Sequence, residues 1–336
     1  MPKNPKQKQK LLYIVKFLLE NTDENNGVTL SEILDFLDRN GITAERKSIY
    51  DDLKTLEDFG YDICRTKSKT TKYYIGSREF ELAELKLLVD SVQSSKFITE
   101  RKSNRLIKKI EQLASEGDAK KLHRQVIVSN RVKMSNEKIY YNVDSIYEAI
   151  NSKKKIGFYY YEWVIDENSP KKIKKVRRHD GKRYIVSPKA LTWDDENYYL
   201  IAFDNDADMI KHYRVDKMES IEVLDERAKY KKGIDDLDIA AYSRAVFGMF
   251  GGELTDVKLK FDNSMVGAVV DRFSDKVFIS PNKDGTFTVS TKVMLSPQFF
   301  GWLFCFKDKV KIMSPKKAKV EFESYLDSVN SIYKED

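Results

Sequence analysis

The stretch KRYIVSPKALTWDDENYYLIAFDNDADMIKHYRVDKMESIEVL, residues 182–224, decides how the chain is read. Its apolar residues gather in runs of strand length, at 184–186, 198–203, 213–215 and 221–224, with Pro, Asp and Asn turn signals between them. This spacing predicts a small antiparallel barrel or sheet. The predicted strand ends carry Ser187, Tyr199, His212, Tyr213 and Arg214, a set of hydroxyl, aromatic and cationic side chains suited to holding an anion.

The order Ser187-Pro188, then Tyr198-Tyr199-Leu200 opening an apolar strand, then His212-Tyr213-Arg214-Val215-Asp216-Lys217-Met218, resembles the WYL domain, named for a Trp-Tyr-Leu tripeptide. Tyr198 stands where Trp is usual, so an aromatic ring is kept, and the specificity lies in the joint spacing with the HYRVDKM run. The resemblance implies an SH3-like or Sm-like barrel behind a winged helix-turn-helix and ahead of a C-terminal extension called WCX. It also implies a ligand sensor, with nucleotides or nucleic acids as ligands, in a transcriptional regulator.

A chain of 336 residues exceeds one ordinary domain and predicts two to three units. Hydrophobic residues at 41%, with 12% aromatic, supply real cores. No run approaches 18 apolar residues, and the N-terminal MPKNPKQKQK lacks the apolar core of a signal peptide, so a cytoplasmic protein with no membrane partner is expected. Cys64 and Cys305 lie far apart without CxxC spacing, which predicts two buried thiols and neither a disulfide nor a zinc site. The net charge is +7, and residues 152–183 alone, with 11 Lys or Arg against 4 Asp or Glu, equal that excess. The first 16 residues add five lysines and no acid. Positive charge at two places points to anionic partners.

Toward the N-terminus, Leu11, Ile14, Val15, Leu18 and Leu19 stripe a first helix over residues 7–20. Thr29-Leu30-Ser31-Glu32 fits a capping box for a second, and Thr43 is placed to cap a third that Gly60 ends. Strands at 62–65 and 72–75 flank a basic loop. Together these make a winged helix-turn-helix plan in which residues 43–59 form the recognition helix. Arg46, Lys47, Tyr50 and Lys54, with Ser48 among them, lie on an arc able to face a major groove, although the helix also carries five acids. In the wing, Arg65, Lys67, Lys69 and Lys72 are read as phosphate contacts. The expected partner is a double-stranded DNA operator, and paired half-sites make a homodimer the expected state.

The domains read as follows: a winged helix-turn-helix at 1–76, a helical linker at 77–140 with helices continuing to 125, a WYL-like barrel at 141–228 and a WCX-like domain at 229–336. A capping pattern at Asp144 starts a short helix, and Ile156, Phe158 and Tyr160 alternate in the strand after it. Residues 166–182 read as a cationic turn or hairpin arm, with His179 a turn residue beside Asp180-Gly181. In the last third, strand and helix patterns alternate as βαββαβ with a terminal helix, the ferredoxin-like plan, so the fold class is α+β and multidomain.

Enzymatic chemistry has little support, and no catalytic residue, metal or cofactor is expected. His123, His179 and His212 lack partners at metal or triad spacing, and no phosphate-binding glycine motif is present. Asp194-Asp195-Glu196 reads as a solvated loop. The ligand set is Tyr160, Arg183, Ser187, Tyr199, His212, Tyr213 and Arg214, with Arg214 supplying a bidentate fork for a nucleotide or oligonucleotide phosphate. A competing reading puts Tyr199 and Tyr213 in the core and pairs Arg214 with Asp216. An RNA- or single-strand-binding accessory protein, using the basic arm and barrel, is the alternative function.

Overall fold

The computed structural model describes residues 7–67, 69–122, 139–232, 234 and 237–334. The chain divides into two compact units, Met1–Glu137 and Lys138–Asp336. The sequence-singled His123 lies outside the described residues.

In the first unit, α1 (Lys10–Asn21), α2 (Leu30–Arg39) and α3 (Arg46–Phe59) pack with a three-stranded sheet of β1 (Val28–Thr29), β2 (Ile63–Lys67) and β3 (Thr71–Ile75), in the order β1-β3-β2. Each helix turns its three-to-four-spaced stripe inward, so that Ile14, Leu18, Ile33, Leu37, Ile49 and Leu53 share one core. The Thr29 capping box forms, with the Thr29 amide donating to Glu32 Oε2 at 2.6 Å, and that bond holds the Glu32 carboxyl below its ordinary range. The cap expected at Thr43 does not: α3 starts at Arg46 with Glu45 as an extended N-cap that makes no side-chain bond. Its other end is where the glycine puts it, with Gly60 left-handed at φ 116°. Lys10 is buried, 2.6 Å from Asp52 and donating to Ser48 Oγ, which ties α1 to α3.

Three further helices, α4 (Leu82–Ser94), α5 (Glu100–Glu111) and α6 (Glu116–Leu122), enclose Leu85, Val89, Ala114 and Leu122. They are fastened to the end of α1 by polar contacts. Ser115 Oγ donates to the buried Asp23 carboxylate at 2.7 Å, and Arg78 donates to the Leu19 and Thr22 carbonyls at 2.7 Å each.

The second unit opens with α7 (Ile139–Ser152). Asp144 sits inside this helix and does not start it, because Ile139, Asn142, Ile146 and Ala149 make one continuous buried stripe through that position. Six antiparallel strands follow: β4 (Lys154–Ile165), β5 (Ile173–Arg177), β6 (Tyr184–Asp194), β7 (Asn197–Asp204), β8 (Met209–Arg214) and β9 (Met218–Arg227). Their order is β5-β4-β6-β7-β8, with β9 also on β4. The first half of β4 pairs with both β6 and β9, and its second half leaves them to form a hairpin with β5. Pro188, read as a turn signal, lies within β6. The register shifts between Pro188 and Ala190, so its missing N–H falls at an irregularity where the ladder is already interrupted.

The rest of this unit comprises α8 (Ile239–Ala245), β10 (Glu253–Asp262), α9 (Val266–Phe273), β11 (Phe278–Pro281), β12 (Thr286–Leu295), α10 (Pro297–Phe304), β13 (Val310–Ser314) and α11 (Lys316–Ile332). The four strands form an antiparallel sheet in the order β11-β12-β10-β13, over a core that includes Leu259, Phe261, Val289, Phe299 and Leu303. At its rim a Cβ on Gly252 would lie 2.0 Å from the Leu295 carbonyl oxygen, so only glycine permits this approach of β10 to β12. The expectation of two buried thiols fails: Cys305 is exposed at the end of α10 and Cys64 is half-buried.

Phe158 is fully buried where β4 meets β6, β8 and β9. Phe158→Ala is expected to destabilise the second unit by about 3–5 kcal/mol, read as a lowered urea midpoint with an unchanged slope.

Candidate functional site

Four rings from three strands form a cluster on one face of the β4–β9 sheet. Phe158 stacks on Tyr184 with centroids 5.4 Å apart and meets Tyr213 edge-on at 5.1 Å. Tyr160 completes the set, 6.0 Å from Tyr184 and 5.7 Å from Tyr213. Edge-on and offset contacts of this kind suit the ring quadrupoles. Burial pushes the Tyr160 phenol up to about 12, although its oxygen accepts a bond from the Arg214 amide at 3.1 Å. Burial, then the nearby Asp204 carboxylate, raises Tyr213 further. Both phenols therefore stay neutral near pH 7.

The pleat sends the neighbours of Tyr213 the other way. Leu200 pairs with Tyr213, whereas Tyr199 pairs with Arg214 and Ile201 with His212, so Tyr199, His212 and Arg214 share the opposite face. On that face His212 Nδ1 donates to the Met249 carbonyl at 2.8 Å. This leaves Nε2 of the neutral ring to accept from the Tyr242 hydroxyl at 3.0 Å. Burial pushes the His212 pKa down and the Tyr242 phenol up to about 12, so the neutral pair is the stable one. Tyr199 packs beside the same Tyr242, in a cluster with Ile201, Val246 and Met294.

Arg214 turns its fork onto Asp216, with Nε and Nη2 each 3.0 Å from a carboxylate oxygen, and Nη2 also reaches Asn197 at 3.0 Å. The bonds to Asp216 raise its pKa. Ser187 is fully buried, donating to Asn205 Oδ1 at 3.0 Å and accepting from the Lys229 amide at 2.9 Å, so its hydroxyl clips β6 to the segment after β9. Arg183 lies over Gly157 and pairs with Glu222.

The seven residues read as one ligand set thus occupy three places: Tyr160 and Tyr213 in the ring cluster, Tyr199, His212 and Arg214 on the reverse face, and Ser187 and Arg183 along β6. Sequence reading missed Tyr184, Asp204, Tyr242 and Met249. Tyr184 had a signal, alternation with Val186 next to the Phe158 and Tyr160 pattern. Tyr242 and Met249 had none, because they lie 30 and 37 residues from the His212 they hold.

The basic segment 152–183 is also more neutral in space than in sequence. β9 and β4 set carboxylates against it: Lys154 meets Asp225 at 3.0 Å, Lys155 meets Glu226 at 2.8 Å and Arg178 meets Glu162 at 3.1 Å. Lys175 and Arg177 share Glu219 and lie 3.5 and 4.0 Å over the rings of Tyr161 and Tyr159. His179, Asp180 and Gly181 all have positive φ in the tight turn that follows β5. The Asp194 carboxylate, read as solvated, is half-buried, and burial raises its pKa against the opposing Arg272.

In the first unit, α3 exposes Arg46, Lys47, Tyr50 and Lys54 while burying Ile49, Leu53 and Leu56. Lys67, Lys69 and Lys72 are exposed on and around the β2–β3 hairpin. Ser48 is half-buried under Lys10, and Arg65 pairs with Glu57 of α3. Among the described residues no group of three or more His, Cys, Asp or Glu is placed to hold a metal ion, and no helix is long and apolar enough to cross a membrane.

Residues 141–223 match the family model of the WYL domain, and the chain carries that domain there. The match begins in α7 and ends in β9, so it takes in both the ring cluster and the reverse face. No curated protein matches the chain. Among solved structures it is similar to proteasome accessory factor B/C (PafBC) of Arthrobacter aurescens, at 14% identity and a TM-score of 0.28. That comparison covers 97% of this chain and 48% of the other, so the chain spans about half the length of that structure.

The depressed His212 pKa fixes the sign of a pH effect. The unfolded imidazole takes its proton near pH 6.5, before the folded one, so its contribution to stability is present above that pH and lost as pH falls toward the folded value. The stability difference between wild type and His212→Gln, from urea denaturation, is expected to shrink between pH 7 and pH 5. A difference that does not change with pH would contradict this account.

Proposed function

We propose that the chain is a DNA-binding transcriptional regulator, cytoplasmic and homodimeric, that uses residues 7–75 as a winged helix-turn-helix and responds to an anionic ligand through its WYL domain. The observation that carries the reading is α3. Its outward arc of Arg46, Lys47, Tyr50 and Lys54 stands opposite the buried stripe of Ile49, Leu53 and Leu56 and beside a hairpin bearing Lys67, Lys69 and Lys72. An exposed arc of this composition suits base edges, and the hairpin lysines suit phosphates. On this reading Ser48 and Arg65 act indirectly, positioning α3 and β2.

The βαββαβ order of residues 253–314, with strand order β11-β12-β10-β13, supports a ferredoxin-like, WCX-type C-terminal domain. The ligand's phosphate or carboxylate competes with Asp216 for the Arg214 fork, on the face where His212 is held by Tyr242 and Met249. Exchange of one carboxylate for another anion gives two states of that face, which is what a sensor requires. The reading gives the chain no catalytic step and no cofactor.

Fluorescence anisotropy with duplexes from the protein's own promoter region tests the reader. Arg46→Ala is expected to weaken binding and relax sequence preference, whereas Lys67→Ala lowers affinity on every duplex and reduces the salt slope by about 1. Failure of the wild-type protein to bind any of these duplexes would defeat the proposal.

A further inference from the structure

We infer that a crevice between α8 and the C-terminal sheet binds a small monoanion with an apolar body, such as a medium-chain carboxylate. The cavity has a volume of about 290 Å³ and lies within the second unit. One wall is apolar, formed by Leu237, Ala241, Leu254 and Phe273. Leu254 is 50% exposed there, although it sits in a strand.

The polar lining sets two cations, Arg244 and Lys292, against one acid. Asp238, the acid on the rim, is committed to the start of α8, accepting from the Ala240 and Ala241 amides at 2.9 and 3.0 Å. Arg244, in the last turn of α8, has its side chain toward solvent. Lys292 approaches Asp256 only to 3.9 Å, with both side chains largely exposed. An apolar wall flanked by two cations complements an amphipathic anion and disfavours an amine of the same shape. The volume lies at the small end of ligand cavities, which suits one short chain or ring.

Occupancy here reaches the WYL domain through one residue. Tyr242 lines the crevice and gives its hydroxyl to His212 on β8. A ligand that shifts α8 therefore shifts the partner of His212. The site is separate from the Arg214 face, and binding to it can be measured whether or not the chain binds DNA.

Octanoate titrated into the full chain by calorimetry, with octylamine as the charge-reversed control, tests the assignment. Octanoate is expected to bind one to one and octylamine not at all. Arg244→Glu and Lys292→Glu, both at exposed positions, should each weaken octanoate by about tenfold or more. In imidazole ¹⁵N spectra octanoate should move the His212 resonances and leave those of His179 in place. Absence of octanoate and benzoate binding at millimolar concentration, equal binding of octylamine, or unchanged affinity in both charge-reversal variants would overturn the site. Binding that leaves His212 unmoved would overturn its coupling to the WYL domain.

Discussion

The period-two alternation of β7 and β8 is the constraint on which the rest of the second unit depends. Because Tyr213 follows His212 and precedes Arg214 in one strand, its ring must point away from both. One face consequently collects Phe158, Tyr160, Tyr184 and Tyr213 into a cluster of rings, and the other carries the imidazole toward α8 and the guanidinium toward Asp216. A single slip of register would exchange these sets and place a cation in the ring cluster, which the cost of burying an unpaired charge forbids.

The polar side chains of this face have defined partners. His212 is bonded at both nitrogens and Arg214 through Nε and Nη2, and Tyr161 donates to the Asp216 carbonyl at 3.1 Å. Such a face is rigid until something displaces a partner. Arg214 is held by the mostly buried carboxylate of Asp216, whereas His212 is held by a helix with a crevice behind it.

The first unit solves a different problem, keeping a helix exposed on one side and fixed on the other. Ile49, Leu53 and Leu56 anchor α3 by area, and the buried Lys10 bridging Asp52 and Ser48 anchors it by direction, since breaking a buried pair of this kind costs about 3–5 kcal/mol. The cations left outside on α3 and the hairpin are then held at a constant spacing. Electrostatic reach toward a polyanion depends on that spacing as much as on charge.

Local patterns in the sequence marked most elements: the Thr29 box and the Gly60 stop arise from contacts within a few residues, and apolar alternation marked the strands of residues 184–224 and the βαββαβ order near the C-terminus. Where the sequence misled, Asp144 was overridden by burial of the stripe around it and Pro188 by a bulge in the ladder, while α3 starts three residues beyond Thr43, after an extended Glu45. The site was legible only as a list. That Tyr160 and Tyr213 stand apart from His212 and Arg214, and that Tyr242 and Met249 hold the imidazole, were decided by tertiary structure alone, whereas the pairing of Arg214 with Asp216, two residues on, was already the competing reading of the sequence. Strand register and long-range closure set which side chains meet, and neither leaves a trace in residues that lie dozens of positions apart.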